Sequence, residues 1–487
     1  MNYSTKATLN FLSLILSCSL FAQQPFYRTY TWDAAPKPNP DATLDASEGQ
    51  IMLQDWRIFE YTYEKSGDLI VYVTKHPKIK VFSDKGIEDN NKIYIPTGGI
   101  IEFMDIQARS ISASGKISNI AKSDIKEVDD VENKGSYKMF AVDALEKNSE
   151  IEYLYTYKKD GSYFGTEYLQ GSKPKLNIFF KIIAPKNLTF EARLYNLPSE
   201  IKVDTASGEQ SIVSVKIPAL GALKEEKYSF YDANRARLEY KLAYNSVKGK
   251  MRLLTWDGAA DRYHTLMYTF DKKEISAVSS FLKKLKLSGD EVTKVHALEN
   301  QIKLNFEIRQ TGLDEAENVE KIIANKFGNY TGMVRFYMCC LEQLEIKREL
   351  VLTCNRTNGK FDPGFDTWNF LDSYLIYLPG SGMFFSPTDI LSRVGFPSPE
   401  YTGQKGLFIK EVDLGEVKSG IAKMKEIGYQ PYTASASNLS AVVNFNADLS
   451  ETQVNLTNTF TGYGAYYTQP IMNLFSDMRK REFQESL

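Results

Sequence analysis

One stretch decides how the centre of this 487-residue chain folds: residues 328–346 read GNYTGMVRFYMCCLEQLEI. Apolar side chains recur in it at three- and four-residue steps, the spacing of one helical face; they are Val334, Tyr337, Met338, Leu341 and Leu344. The pattern predicts a helix over 331–345 whose apolar stripe packs on a sheet. Cys339 and Cys340 flank the stripe, and we interpret them as packing residues.

Helical periodicity continues on the N-terminal side of this stretch, and strand-like runs follow it. The same spacing predicts further helices near 274–286, 290–309 and 314–326. Short apolar runs predict strands at 349–354, 374–378 and 383–385. Helices that lead into a small antiparallel sheet form an α+β domain, which we place at 262–400.

The residues before this domain alternate with the period of a strand. Phe59, Tyr61 and Tyr63 alternate with polar residues, and the run that starts at Ile151 does the same. Many short strands at regular spacing predict an antiparallel β-sandwich over 45–245. Strand-like runs return after residue 406 and end in a charged tail, which predicts a partial C-terminal β domain over 406–487. The predicted fold is therefore multidomain α+β.

Charge and hydropathy exclude two classes of function. The chain has 59 basic and 61 acidic residues, so it has no net field that would attract nucleic acid. No stretch reaches the roughly 18 uninterrupted apolar residues that a membrane-spanning helix needs. We therefore expect neither a nucleic-acid partner nor a transmembrane span.

The first residues predict export. Lys6 precedes a largely apolar run over 9–21, and Ala22 leads into a polar pair of glutamines. This arrangement predicts a signal peptide over 1–22 and a protein of the periplasm or associated with the outer membrane. Acylation of Cys18, as in a lipoprotein, is the alternative. Cleavage after Ala22 would leave three cysteines without the paired spacing of a zinc site, so we predict no metal.

Several segments carry a resemblance to a known family. The helix that begins GNYTGMV, the run SYLIYL at 373–378 and FSPT at 385–388 resemble the nucleophile helix and the two following strands of bacterial transglutaminase-like proteins. The segments KHPKIKV at 75–81, DIQAR at 105–109 and EIEY at 150–153 resemble the N-terminal β-sandwich domain of unknown function of the exported members. The resemblance implies a papain-like central domain.

The family's catalytic triad of Cys, His and Asp is missing from this sequence. The positions that match it hold Tyr330, Ser373 and Ser386. None of these side chains can act as a thiolate, a base near neutral pH or an orienting carboxylate. The chain's three histidines all precede the helix, so no shift of the alignment restores the family's order of Cys and then His. We therefore expect no catalytic residue and no cofactor.

Three hypotheses for function remain. The first is a non-catalytic envelope protein that uses a pseudo-transglutaminase fold for binding or assembly, with another envelope protein, an intact relative, a peptide or a glycan as partner. The second is a structural envelope protein that acts through the sandwich. The third is an enzyme that uses residues outside the triad. An open cleft beside Tyr330 would favour the first over the second.

Overall fold

The computed structural model describes residues 24–40, 46–129, 135–197, 200–204, 210–413, 415, 418–469, 472 and 480–481. The predicted signal peptide at 1–22 lies outside them, as does most of the charged tail. Within the described residues, no helix is both long enough and apolar enough to cross a bilayer.

The chain is a multidomain α+β protein that is rich in strands. Its α-helices are α1 Phe26–Thr29, α2 Asp84–Asn90, α3 Tyr231–Asn234, α4 Trp256–Tyr268, α5 Lys272–Leu285, α6 Glu291–Asn305, α7 Val319–Asn325 and α8 Tyr330–Gln343. Its strands up to the first long helix are β1 Gln50–Tyr63, β2 Leu69–Val81, β3 Lys92–Pro96, β4 Glu102–Ile111, β5 Ile117–Asn119, β6 Lys126–Val128, β7 Tyr137–Ala141, β8 Glu150–Asp160, β9 Phe164–Tyr168, β10 Lys175–Pro185, β11 Leu188–Tyr195, β12 Lys202–Asp204, β13 Gln210–Leu220 and β14 Arg237–Asn245. The later strands are β15 Glu307–Ile308, β16 Phe327–Gly328, β17 Glu349–Thr353, β18 Ser373–Leu378, β19 Met383–Phe385, β20 Gln404–Asp413, β21 Lys418–Ile427, β22 Ala436–Phe445 and β23 Thr452–Thr461.

An eight-stranded sheet dominates the N-terminal half, in the order β12-β13-β10-β1-β2-β8-β4-β5. Two residues of the predicted alternation, Phe59 and Tyr61, are buried against Phe190 and Tyr240 of the small sheet β11-β14-β9. The expected half-buried strand is wrong in part, since Tyr63 is 40% exposed and Glu60 only 8%. The expectation of an entirely antiparallel sandwich is wrong at one pair, since β1 and β10 run parallel. Parallel neighbours need a long crossover connection, which β2 to β9 supply here.

The outer face of the eight-stranded sheet is buried beneath the N-terminal segment, residues 24–40. His76, Arg109 and Glu152 project from three neighbouring strands on this face, and each is at most 5% exposed. Tyr30 of the segment hydrogen-bonds His76 at 2.7 Å, and the carbonyl of Asp33 accepts a bond from Arg109 at 2.7 Å. Polar contacts therefore fasten the segment to the sheet.

Helices α4 to α8 pack on a five-stranded sheet in the order β19-β18-β17-β20-β21. The predicted helices and short strands of this region are present, but helix α4 was missed. Its buried positions include the small Ala259 and Ala260, which give a weak periodic signal. Strands β20 and β21, at the start of the region predicted as a C-terminal domain, belong to this sheet instead, because β20 pairs with β17.

Strands β22 and β23 form a two-stranded ribbon that pairs with no other strand among the described residues. Apolar side chains on it are exposed, and they include Leu439, Phe445 and Leu456. Whether this region is part of an incomplete C-terminal domain stays a prediction.

Candidate functional site

The N-terminus of α8 is set by its cap residue. The side-chain oxygen of Asn329 accepts a hydrogen bond from the backbone nitrogen of Gly332 at 2.8 Å, as a helix cap requires. Its amide nitrogen donates to Glu317 at 2.9 Å. The helix start is therefore held to the preceding turn, and Tyr330 becomes the first helical residue.

Two glycines allow α8 to approach its neighbours closely. A β-carbon on Gly332 would lie 2.0 Å from the carbonyl oxygen of Ala316, and one on Gly328 would lie 3.0 Å from the side chain of Ile322. The contact with backbone at Gly332 leaves no room for a larger residue, and the contact at Gly328 would require Ile322 to move. The paired glycines in GNYTG are thus explained by packing.

Tyr330 lies beside an open cavity of 640 Å³. Its side chain is 47% exposed. The apolar lining of this cavity includes Leu304, Phe306, Ile308, Met333, Pro387 and Ile390. Polar and charged residues line it in equal number; they are Lys303, Asn305, Glu307, Gln310, Lys326 and Thr388. Apolar side chains beside polar groups that can fix a ligand's orientation are features of a ligand pocket.

Ser373, the position matched to the family's histidine, does not face α8. Successive residues of a strand point to opposite faces, and Leu375 and Tyr377 pack in the cluster on the far side of the sheet. The hydroxyl of Ser373 donates to Asp372 at 2.7 Å. Ser373 therefore lies on the face opposite the helix.

Tyr374, one residue along, is the residue of β18 that reaches the start of α8. Its side chain interacts with Thr331, its ring centroid lies 6.1 Å from that of Tyr263, and burial raises its pKa above the usual value. The strand alternation could have revealed this, because Tyr374, Ile376 and Leu378 share one face. A tyrosine with a raised pKa is no better a base than a serine.

Ser386, the position matched to the family's aspartate, is buried just after β19 and is 1% exposed. Its hydroxyl accepts a bond from the backbone of Ser398 at 3.3 Å, and its carbonyl accepts one from Ser392 at 3.1 Å. These bonds shape the loop whose Pro387 and Thr388 line the cavity. Of the three matched positions, Tyr330 alone lines the cavity.

A buried ion pair that sequence reasoning missed holds the same loop. Lys303 donates to Glu299 at 2.7 Å and to the hydroxyl of Ser392 at 2.9 Å. Glu299 accepts a further bond from the backbone of Val394 at 2.9 Å. The spacing of Glu299 and Lys303 by four residues on a predicted helix was the available signal.

The three described thiols are buried and poorly suited to nucleophilic attack. Burial raises the pKa of Cys339 to about 12. It also raises the pKa values of Cys340 and Cys354 above their usual range. Since the thiolate is the reactive form, these thiols stay protonated near neutral pH.

The histidines serve elsewhere in the structure. His76 hydrogen-bonds Glu152 at 2.9 Å on the sandwich, and His264 contacts Glu411 at 3.1 Å. His296 lines a different cavity, near Tyr466. Across the described residues, no group of His, Cys, Asp and Glu side chains is arranged to hold a metal ion.

Comparison with known proteins places part of the chain in a family. Residues 70–220 match the model of a domain of unknown function with solved structures, DUF3857. This part of the chain contains that domain. The expected N-terminal domain of unknown function is confirmed. None of the curated proteins matches the chain.

A solved structure has a fold similar to that of most of this chain. A crystal structure of a candidate protease from Parabacteroides distasonis aligns with a TM-score of 0.54 and 13% identity, covering 79% of this chain and 72% of that one. At this identity the match shows a similar fold alone. An M1 zinc metallopeptidase from Deinococcus radiodurans, at 7% identity over 40% of this chain and 42% of that one, has a TM-score of 0.20, too low to support an argument.

Proposed function

We propose that this chain is a non-catalytic, exported envelope protein whose central domain has a transglutaminase-like fold and binds a ligand in the cavity beside Tyr330. The observation that carries the proposal is the open cavity at the start of α8, where the family has its nucleophile. A purely structural protein has no need to keep this cleft unfilled, because filling it would bury more apolar surface.

An enzyme that uses residues outside the triad is the weaker hypothesis. The buried thiols have raised pKa values, and no histidine lines the cavity beside Tyr330. The fold similarity to a candidate protease does not alter this, because a cysteine protease needs a thiolate within reach of a base.

The cavity lining favours a peptide over a glycan as the ligand. Leu304, Ile308, Met333 and Ile390 present aliphatic or thioether surface, which suits apolar amino-acid side chains. Glycans more often bind on flat aromatic platforms, and Tyr330 and Phe306 are the aromatic residues here. Lys326 and Glu307 would orient the backbone or the charged ends of a peptide.

Binding of defined peptides to the mature protein tests the proposal, with cell-wall glycan fragments as the second arm. We expect apolar peptides to bind and Ile390→Asp to weaken the binding at least about tenfold, because it places a charge in the apolar lining. Ile421→Asp is the matched control, since Ile390 and Ile421 are 41% and 44% exposed.

The same preparation is incubated with amine-donor and peptide substrates, beside a variant with Cys339→Ala and Cys340→Ala. We expect no turnover in either. Turnover that disappears in the double variant would show that the protein is an enzyme. Equal peptide affinity in the Ile390→Asp and Ile421→Asp variants would show that the peptide does not bind in this cavity.

A further inference from the structure

Another cavity, of 500 Å³, is lined by residues of β11, β14 and the loop that follows β17. It is distinct from the cavity beside Tyr330 and shares no lining residue with it. Its lining includes the aromatic residues Tyr195 and Phe230 and four charged residues, Arg237, Arg356, Lys360 and Asp362. Three cations and one carboxylate thus surround a single space.

Arg237 is the most deeply buried of the cations, at 3% exposed. Its Nε donates to Glu239 at 3.2 Å and its Nη1 to the carbonyl of Ala233 at 3.2 Å. Nη2 has no hydrogen-bond partner among the described residues. Nη2 is not among the side-chain atoms closed off from solvent without a partner, so it can donate to a ligand in the cavity.

A glycine keeps the space in front of that donor free. A β-carbon on Gly359 would lie 3.0 Å from Nη2 of Arg237. On another side, the ring of Tyr195 lies against the guanidinium group, with 4.6 Å from its central carbon to the ring centroid. Nη2 is therefore oriented by packing and left accessible from the cavity.

Arg356 and Lys360 add further unused donors. Nε of Arg356 donates to the carbonyl of Pro399 at 3.1 Å, and its guanidinium carbon lies 5.2 Å from the ring centroid of Phe230. Neither Arg356 nor Lys360 forms an ion pair with a described residue. Both positive charges remain available to a bound anion.

The acidic groups nearby are already bound to other partners. Asp362 accepts bonds from Arg193 at 2.6 Å, Tyr195 at 2.7 Å and the backbone of Gly364 at 2.8 Å. Glu400, next to the cavity wall, accepts one from Asn355 at 2.5 Å. Glu239 forms an ion pair with Arg237 at 3.2 Å, so the positive charges left without a carboxylate partner are those of Arg356 and Lys360.

We propose that this cavity binds a small organic oxyanion, a carboxylate or a phosphate, through Arg237, Arg356 and Lys360. Arginine pairs recognise both groups because the guanidinium fork matches their oxygen geometry. The rings of Tyr195 and Phe230 would contact the organic part of the ligand.

Calorimetric titration of the mature protein with inorganic phosphate, phenyl phosphate and benzoate tests this site. We expect at least one anion to bind more tightly than about 1 mM, and binding to weaken as NaCl is raised. Tighter binding of phenyl phosphate identifies a phosphate site, and tighter binding of benzoate a carboxylate site.

Two variants locate the binding in this cavity. Arg356→Gln with Lys360→Gln removes two cations from partly or fully exposed positions, and we expect binding to weaken at least about tenfold. Gly359→Ala keeps every charge but narrows the space before Arg237, and we expect a loss of similar size. The control, Arg262→Gln with Lys321→Gln, removes the same charge from exposed helix positions.

Three outcomes would overturn the site. They are the absence of binding by all three anions, unchanged affinity in both cavity variants, and an equal loss in the control. The last would show that net charge alone attracts the anion. Thermal unfolding of each variant, measured beside the titration, separates loss of the site from loss of the fold.

Discussion

Helix α8 and the outer face of the eight-stranded sheet are both buried, but by different means. Met333, Val334 and Leu341 of α8 pack in the large apolar cluster of the central domain. The sheet face instead buries His76, Arg109 and Glu152, joined by hydrogen bonds of 2.6 to 2.9 Å. Burial of the helix depends on shape, whereas burial of the sheet face depends on charge.

The difference predicts which kind of substitution destabilises each region. An apolar core loses stability when its volume changes, because interiors are close-packed. Removing one partner of a buried charged network destabilises the protein, because the other charge stays buried without an opposite charge to compensate it. Helix α8 also forms two ion pairs, Arg335 with Glu274 and Glu342 with Arg348, and the side chains of the first are 12% and 4% exposed.

The largest expected effect is that of Glu152→Gln. It leaves Arg109, which is 2% exposed, without its carboxylate, and we expect a loss of about 3–5 kcal/mol in the free energy of unfolding. Native-state hydrogen exchange in β2, β4 and β8 measures it locally.

Glu88→Gln is the control for this variant, because Glu88 pairs with Lys85 at an exposed site. Its loss should stay under about 1 kcal/mol. Similar losses in the two variants would show that the buried network is no more important than a surface pair.

Gly332→Ala tests the role of shape at α8 and should have the next largest effect. The added carbon would lie 2.0 Å from the carbonyl oxygen of Ala316, and we expect a loss of about 1–3 kcal/mol. Alanine favours helices more than glycine does, so a loss must come from the close contact.

Gly312→Ala is the matched control, since a β-carbon there meets no atom within 4 Å. Chemical denaturation measures the free energy of unfolding of both variants. Amide hydrogen exchange in α8 then shows whether any loss of stability is local to this helix. An unchanged free energy of unfolding in Gly332→Ala would mean that α8 can move to accommodate the added carbon, and the close packing would then contribute little to stability.

Acid should produce the smallest of the three effects, and it should act on the sheet face. Burial tends to raise the pKa of Glu152, but hydrogen bonds from His76 and Arg109 outweigh it, so the pKa is lowered. A carboxyl whose pKa is lowered by folding stabilises the folded state when the pH is above its pKa in the unfolded chain, about 4.3 for Glu. This stabilisation is lost as the pH falls through the lower pKa of the folded state.

Hydrogen exchange in β2, β4 and β8 between pH 6 and pH 3 checks this, after correction for the intrinsic exchange rate. We expect local opening of these strands to increase as the pH falls in the wild type, and to increase less in Glu152→Gln. If hydrogen exchange increases equally in both proteins as the pH falls, the acid sensitivity comes from other carboxylates, such as Asp55, whose pKa is also lowered.

The sequence predicted elements wherever periodicity is strong. The alternation through Phe59 and Tyr61 gave the buried face of β1, and the apolar stripe from Val334 to Leu341 gave α8. Helix α4 was missed because two of its five buried positions are alanines, which give a weak periodic signal. The strands after residue 406 were expected to begin a new domain, since pairing between β17 and β20 has no local signature.

The candidate sites were predictable only in part. Tyr330 was reached through a motif, but its neighbours in the cavity come from α6, β15 and the loop after β19. A sequence cannot bring together residues so far apart along the chain. For the same reason the cluster of His76, Arg109 and Glu152 and the cations around Arg237 became visible only in the folded structure.

The parallel pairing of β1 with β10 has a consequence for the order in which the chain can fold. Strand β1 lies inside the eight-stranded sheet, between β10 and β2, and Met52 pairs with Lys175. A chain that emerges N-terminus first forms the hairpin of β1 and β2 early, yet the other edge of β1 has no partner until β10 has been made. Distant pairings of this kind slow folding and expose a long strand edge in the meantime.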